Sequence, residues 1–340
     1  MQITCPSALR IRNLVWDLRY IRSVGFRSKR YLEMKVKLAK LILGFSLIAI
    51  VLAGFLTPVE ANVSATFLYS LSNFTGKIPY DTTRMTVDKK TGEIYVIYEN
   101  LLKVFNPAGM EIYNFGEDLD VGQIIDLAVV PNGDLLLLTV KDSKETLVKC
   151  NYRGDPISRM ELSGFGANRL VCHGDSLYFA SAEGMKIVIT DLEGNFKKGY
   201  DLVSLLELKE KEREGAEIFG FSVDGSGNIL FTIPVLFKAF MLSNDGKISY
   251  FGRPGGAPGK FNVVSGIVRD SKENFLVVDR LKSAVMIFDK KFNFVTQFGF
   301  RGLKPENLFA PDEIAIDTND RIYVTQGRKR GVSVFKLTYN

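Results

Sequence analysis

Residues 266–280 read GIVRDSKENFLVVDR and residues 284–299 read AVMIFDKKFNFVTQFG. An apolar strand runs into a polar turn at 270–274, and a second, strongly apolar strand follows to Asp279. A short loop then leads to a third strand ending in the bulky Phe288, a turn containing Asp289 and Asn293, and a fourth strand ending in Phe298 and Gly299. Short strands separated by Asn, Asp and Gly turns make an antiparallel meander.

Outward from this stretch the same unit recurs. Blade A has RMTVDKKTGEIYVIY (84–98) with LLKVFNPAGMEIYNFG (101–116), and blade B has DLAVVPNGDLLLLTV (126–140) with LVKCNYRGDPISRMEL (147–162). Blade C, the poorest copy, has RLVCHGDSLYFAS (169–181) with KIVITDLEGNFKKGYDL (186–202), and blade D has GFSVDGSGNILFTI (220–233) with FKAFMLSNDGKISYFG (237–252). The opening stretch is blade E, and blade F has EIAIDTNDRIYVTQG (313–327) with GVSVFKLTYN (331–340). The turn position after the first strand falls at Asp88, Val130, His173, Asp224, Asp270 and Asp317, with spacings of 42, 43, 51, 46 and 47. This regularity predicts an all-β fold, a six-bladed β-propeller of four-stranded antiparallel blades over residues 62–340. Blade F runs out before a fourth strand. TFLYSLSNFTG (66–76) resembles the blade-ending strands and is expected to complete blade F and close the ring.

At GIVRDSKENFLVVDR and EIAIDTNDRIYVTQG the chain resembles the NHL repeat, whose consensus runs roughly P-x-G-I-A-V-D-x-x-G-N-I-Y-V-A-D before a third strand ending in V-F-D. The resemblance covers about residues 66–340. Glu313 replaces the usual Gly of blade F, Thr325 and Gln326 replace its Ala-Asp pair, and Asp279 of blade E keeps that Asp. The resemblance implies a range of roles: extracellular sensor or ligand-binding domain, protein scaffold, RNA-binding module and, rarely, amidating lyase. Fold alone does not choose among them.

Ahead of the repeats, Lys35, Lys37 and Lys40 precede an uncharged run from Leu41 to Leu56, followed by Pro58 and small residues before Asn62. That is the three-part pattern of a secretory signal, with cleavage expected after Ala61. Sixteen residues make a helix of about 24 Å, a little short of a bilayer core of roughly 30 Å, and an uncleaved N-terminal membrane anchor is the competing reading. Residues 1–33 form a basic leader, which is either an untranslated extension ahead of a true start at Met34 or a cytoplasmic tail. The protein is therefore read as exported: periplasmic, secreted or anchored facing outward, with membrane contact through this segment alone. The chain has 44 Lys+Arg against 38 Asp+Glu, but residues 1–61 hold 10 of the former and 3 of the latter. What remains, 34 against 35, gives no reason to expect a nucleic-acid partner.

Chemistry is sparse. Six-bladed propellers that act as lactonases or lyases hold a channel metal, whereas this chain has one His, His173, placed by the alignment at a hairpin tip. That excludes a His-rich metal site. An all-carboxylate Ca²⁺ site stays open, although no recognisable loop marks one. No cofactor, metal or catalytic residue is assigned. Cys150 and Cys172 suit small buried hydrophobes, with a disulfide as the alternative.

The loops carry more. Those joining second to third strands and those between blades share one face, usually the binding face of a propeller. Blades D to F place Arg253, Lys260, Arg280, Lys282, Arg301, Lys304, Arg328, Lys329 and Arg330 there, while blade A places Glu99, Glu117, Asp118 and Asp120. The basic residues are read as exposed charges whose removal leaves the fold intact, facing an acidic protein or other macromolecule. DLVSLLELKEKEREG (201–215) reads as a short helix capped by Asp201 that packs its leucines on this face and partly covers the channel. The function expected is non-catalytic binding or scaffolding at the cell envelope; the alternative is a hydrolase or lyase with a channel metal.

Overall fold

The computed structural model describes residues 63–73, 76–77, 84–116, 121–162 and 164–339. The leader, the apolar segment before Asn62 and the acidic residues Glu117, Asp118 and Asp120 lie outside them. Among the described residues no helix is long and apolar enough to cross a membrane.

Six four-stranded antiparallel sheets follow one another around an axis. In blade E, Val264–Arg269 pairs with Phe275–Asp279, which pairs with Ala284–Phe288, and that with Phe294–Phe298. The second strands, such as Ile229–Ile233 and Phe275–Asp279, are buried along their whole length because both of their faces meet a neighbouring blade. That explains the unbroken apolar runs. Outermost strands such as Pro156–Leu162 are largely exposed.

The first hairpin turn is built by its Asp. Asp270 Oδ1 accepts from the backbone N–H of Lys272 and Asn274 at 2.9 and 2.7 Å, and Asn274 Nδ2 donates to Oδ2 at 2.8 Å. Asp224 and Asp317 make the same backbone bonds. This is the Asx-turn, which offers the reversing backbone its acceptor locally. Blade B, with Val130 at this position, and blade C lack it; in C, His173 pairs directly with Ser176 across a shorter turn.

Among the described residues, the buried apolar side chains form six clusters, one at each seam between blades. Each seam is also tied by polar contacts. Asn100 accepts from Ile124 N–H between A and B, and Glu145 accepts from Gly166 and Ala167 N–H between B and C. Arg169 donates to Phe219 O between C and D, Thr232 Oγ1 donates to Ser265 O between D and E, and Tyr339 OH donates to Asp270 between E and F. Where inner strands converge, backbones approach closely: a Cβ on Gly220 would stand 2.3 Å from Ser265 O, which only glycine permits.

The ring closes as the repeats imply. Val63–Ser70 pairs antiparallel with Gly331–Tyr339, from Val63 opposite Tyr339 to Ser70 opposite Ser333, and completes blade F as its outer strand. The strand begins three residues earlier than the sequence match suggests. Beyond it, Leu71 is fully buried in the cluster between blades F and A, its N–H donating to Val332 O at 3.0 Å. Arg321 Nη1 and Tyr69 OH both donate to Pro107 O of blade A, at 2.8 and 2.7 Å.

The 201–215 segment corrects the single-helix expectation. Two one-turn helices, Leu202–Leu205 and Glu210–Arg213, are separated by Glu207 in the left-handed region (φ 50). Asp201 does cap the first, accepting from Val203 and Ser204 N–H. Leu202 and Leu208 are buried with Met185 and Ile218 in the seam between C and D, and the segment contributes nothing to the channel lining. It fills the seam, where its leucines find apolar partners.

Removing residues 62–76 exposes Phe335, Val334 and the edge of blade F, and is expected to lower the melting temperature of the whole domain. A truncated protein that melts with the intact one overturns closure as the basis of stability. Leu71→Ala, a milder test at a fully buried site, is expected to cost about 2–5 kcal/mol in urea unfolding.

Candidate functional site

Two groups of charged residues lie on the loop-face side of the propeller. The first lines the axial channel, a cavity of about 410 Å³ bounded by the first strands of all six blades. Four residues before each turn position stands one residue per blade: Arg84, Asp126, Arg169, Gly220, Gly266 and Glu313. Around the ring from blade F to blade C these read Glu, Arg, Asp, Arg, then two glycines. Arg84 pairs with Glu313 across the closing seam. Asp126 accepts from Leu127 and Leu170 N–H at 2.9 and 2.8 Å, and burial raises its pKa against the pull of Arg84 and Arg169. Burial, and then the like charge of Arg84, lower the Arg169 pKa to about 10. Beside this layer, Arg280 Nε lies 3.4 Å from Asp312, whose pKa burial also raises. Three carboxylates therefore stand among three guanidiniums. A cation approaching Asp126, Asp312 and Glu313 would meet Arg84, Arg169 and Arg280 at the same place. Among the described residues no three His, Cys, Asp or Glu side chains converge in a geometry that holds a metal.

The sequence marks this layer through a shared position. Glu313 stands out alone as a departure from Gly; its relation to Arg84, Asp126 and Arg169 shows only when the register is followed through all six repeats.

At the opposite end of the channel, His173 lies at the hairpin tip, half-buried, where burial and then the nearby Lys89 lower its pKa. It thus lies away from the loop-face mouth, as its alignment indicates, while still lining the channel. Cys172 beside it and Cys150 in the seam between A and B are free thiols, each pushed by burial to about 11.

The second group is the basic loop set. Arg253, Lys260, Arg301, Lys304, Arg328 and Lys329 are exposed. Arg253, Lys260, Arg301 and Arg328 have no carboxylate partner among the described residues. Lys304 lies 3.9 Å from Glu306, with both side chains exposed. Three of the nine depart from the expectation of exposed charges. Arg280 is partly buried against Asp312, Lys282 Nζ donates to Gly256 and Ala257 O, and Arg330 donates to Gly302 O and Lys304 O at 2.7 and 3.0 Å. Arg280 compensates a buried carboxylate, and the other two tie loops together by donating to main-chain carbonyls.

Arg301 and Arg328 lie over Phe309, which the sequence reading does not single out, and Arg330 lines the same cavity. The Arg301 and Arg328 guanidinium carbons lie 5.1 and 4.4 Å from the centre of its ring. Ser70, Gly302, Leu303, Pro305, Phe309, Arg328 and Arg330 line a cavity of about 610 Å³ on this face. Three separate segments build it: the end of the first strand, the loop between E and F, and the hairpin of blade F.

A family described as a 6-bladed beta-propeller, DUF5128, matches residues 262–340. No curated protein matches the chain. Among solved structures, a protein of unknown function from Bacteroides thetaiotaomicron superposes with TM-score 0.60 at 11% identity, over 81% of this chain and 76% of that one. An auxiliary nutrient binding protein from Bacteroides ovatus gives 0.56 at 15%, over 82% and 78%. A catalytically inactive histidine-to-alanine variant of virginiamycin B lyase from Staphylococcus aureus, with quinupristin, gives 0.52 at 12%, over 82% and 96%. At such identities the likeness is one of fold.

The alternating layer predicts a parity effect. Arg84→Met leaves buried Asp126 and partly buried Glu313 undercompensated and is expected to cost about 3 kcal/mol. Arg84→Met with Glu313→Met leaves Asp126 and Arg169 balanced and is expected to recover most of that. Urea unfolding of both variants and of Glu313→Met alone measures the coupling, and additive losses overturn it.

Proposed function

We propose that this propeller, of NHL-repeat type, is a non-catalytic binding domain whose loop face on blades D to F holds an acidic macromolecule. The observation that carries this reading is a contrast in charge. Carboxylates and guanidiniums alternate within the channel, whereas Arg253, Lys260, Arg301 and Arg328 on the loop face find no carboxylate among the described residues. Unpaired cations clustered on one face attract an oppositely charged surface and speed its encounter.

The NHL assignment finds support in what its characteristic Asp does here. Asp279, fully buried, accepts from Asn262 and Lys282 N–H at 2.7 and 3.0 Å and so anchors the loop from blade D to blade E. Gln326 takes this part in blade F, accepting from Phe309 N–H at 2.9 Å and donating to Ser333 at 2.7 Å. The departure from the consensus keeps the contact with a neutral side chain. Export, and a domain boundary near residue 62, rest on the signal pattern of residues 34–61.

The nutrient-binding neighbour is consistent with a binding role. A channel-metal hydrolase or lyase would need its carboxylates released from Arg84, Arg169 and Arg280. The lyase variant is catalytically inactive without one histidine, and the single His of this chain sits at the end of the channel away from the loops.

Immobilised poly-L-glutamate serves as a model acidic chain. Its association rate with residues 62–340 is expected to fall roughly tenfold as salt rises from about 50 to about 500 mM. Arg253→Ser with Lys260→Ser should slow association at low salt without moving the melting temperature. Absence of binding at low salt, or rates indifferent to salt, would sink the acidic-partner reading.

A further inference from the structure

The Phe309 cavity goes further than a general basic surface. Two guanidiniums share one aromatic ring, and a third, from Arg330, stands at the same cavity. Stacking accounts for the flat faces of Arg301 and Arg328 but leaves their N–H edges to bond elsewhere. Neither has a carboxylate or hydrogen-bond acceptor among the described residues. Two cations held on one ring without a counter-ion raise the local positive potential, which an anion at the cavity would relieve.

Part of the cavity wall is apolar. Leu303 and Pro305, which line it with Phe309, are exposed, Leu303 fully so. A bare inorganic anion gains nothing from these groups, whereas an apolar side chain next to a carboxylate would cover them. Arg328 and Lys329 both have φ of 55°, the two-residue hairpin turn that Glu99–Asn100 and Asp142–Ser143 also make in blades A and B.

We infer that this cavity is a peptide-binding pocket, in which an extended acidic segment places a carboxylate on Arg328, whose stacking partner Phe309 also carries Arg301, and an adjacent apolar side chain on Leu303 and Pro305. The inference rests on the loop-face reading above. Arg330 positions the site, since its bonds to Gly302 and Lys304 carbonyls hold the loop that carries Leu303 and Pro305.

The probe is a fluorescent octapeptide alternating Glu and Leu, followed by anisotropy. Saturable binding is expected, weakened tenfold or more by Arg328→Ser, by Arg301→Ser and by Phe309→Leu, and unchanged by Lys211→Ser on the exposed second helix. Arg328→Gly should raise the melting temperature by relieving the left-handed backbone while losing the peptide, which separates binding from folding. No saturable binding at millimolar peptide, or equal affinity in the Arg328 and Arg301 variants, overturns the pocket. The broader reading then survives if poly-L-glutamate still associates in a salt-dependent way and falls if it does not. An oligouridine or a phosphatidylglycerol vesicle that binds more tightly than the peptide and is equally sensitive to Arg328 overturns the peptide assignment.

Discussion

Every blade has two apolar faces, and a single blade has nothing to cover either. Stability in this chain therefore resides in the seams, where side chains such as Phe231, Phe275 and Tyr323 become fully buried. Five seams form between blades that follow one another in sequence. The sixth, between F and A, depends on residues 63–71 returning to a strand some 270 residues away, so that Leu71 fills the last apolar cluster and Ser70 meets Ser333. Without that pairing, the apolar faces of two blades and a strand edge would lie in water.

The same geometry decides where charge is tolerated. A polar group on an inner strand faces the axis and is largely desolvated, so Arg84, Asp126, Arg169 and Glu313 are arranged with alternating sign. A polar group at a loop tip stays in water, and like charges accumulate there at little cost to folding. The molecule thus separates an inward charge layer that serves the ring from an outward set of cations left for something else. Lys282 and Arg330 belong to both, since each spends its donors on loop carbonyls.

Much of the architecture was legible in the sequence because the hairpin turn is a local device. Asp270 binds residues two and four places on, so its spacing survives even where strand residues drift. Blade C was hardest to see because it lacks this device, and the spacing of 51 before blade D reflects the inserted 201–215 segment. That segment looked like one helix because its leucines and charges have suitable spacing; Glu207 breaks it, and burial of Leu208 makes the break useful. The basic loop residues were found individually. Which of them pair inward, and that Arg301 and Arg328 meet at Phe309, depends on contacts between different loops, with Ser70 joining the cavity from the far end of the domain, which no local pattern reports.

Placing the first-made strand at the outer edge of the last blade also sets an order of events. At a synthesis rate of about 5–20 residues per second, residues 63–70 wait tens of seconds before Gly331–Tyr339 exists. Throughout that interval an amphipathic strand has no native partner, and five growing blades have an uncovered leading face. Premature pairing with another chain is the hazard. Two chains that exchanged this strand would each be complete, and the product would be a domain-swapped dimer with the contacts of the monomer. The topology that seals the finished ring thus leaves the nascent chain dependent on whatever keeps it apart from its neighbours until Gly331–Tyr339 is made.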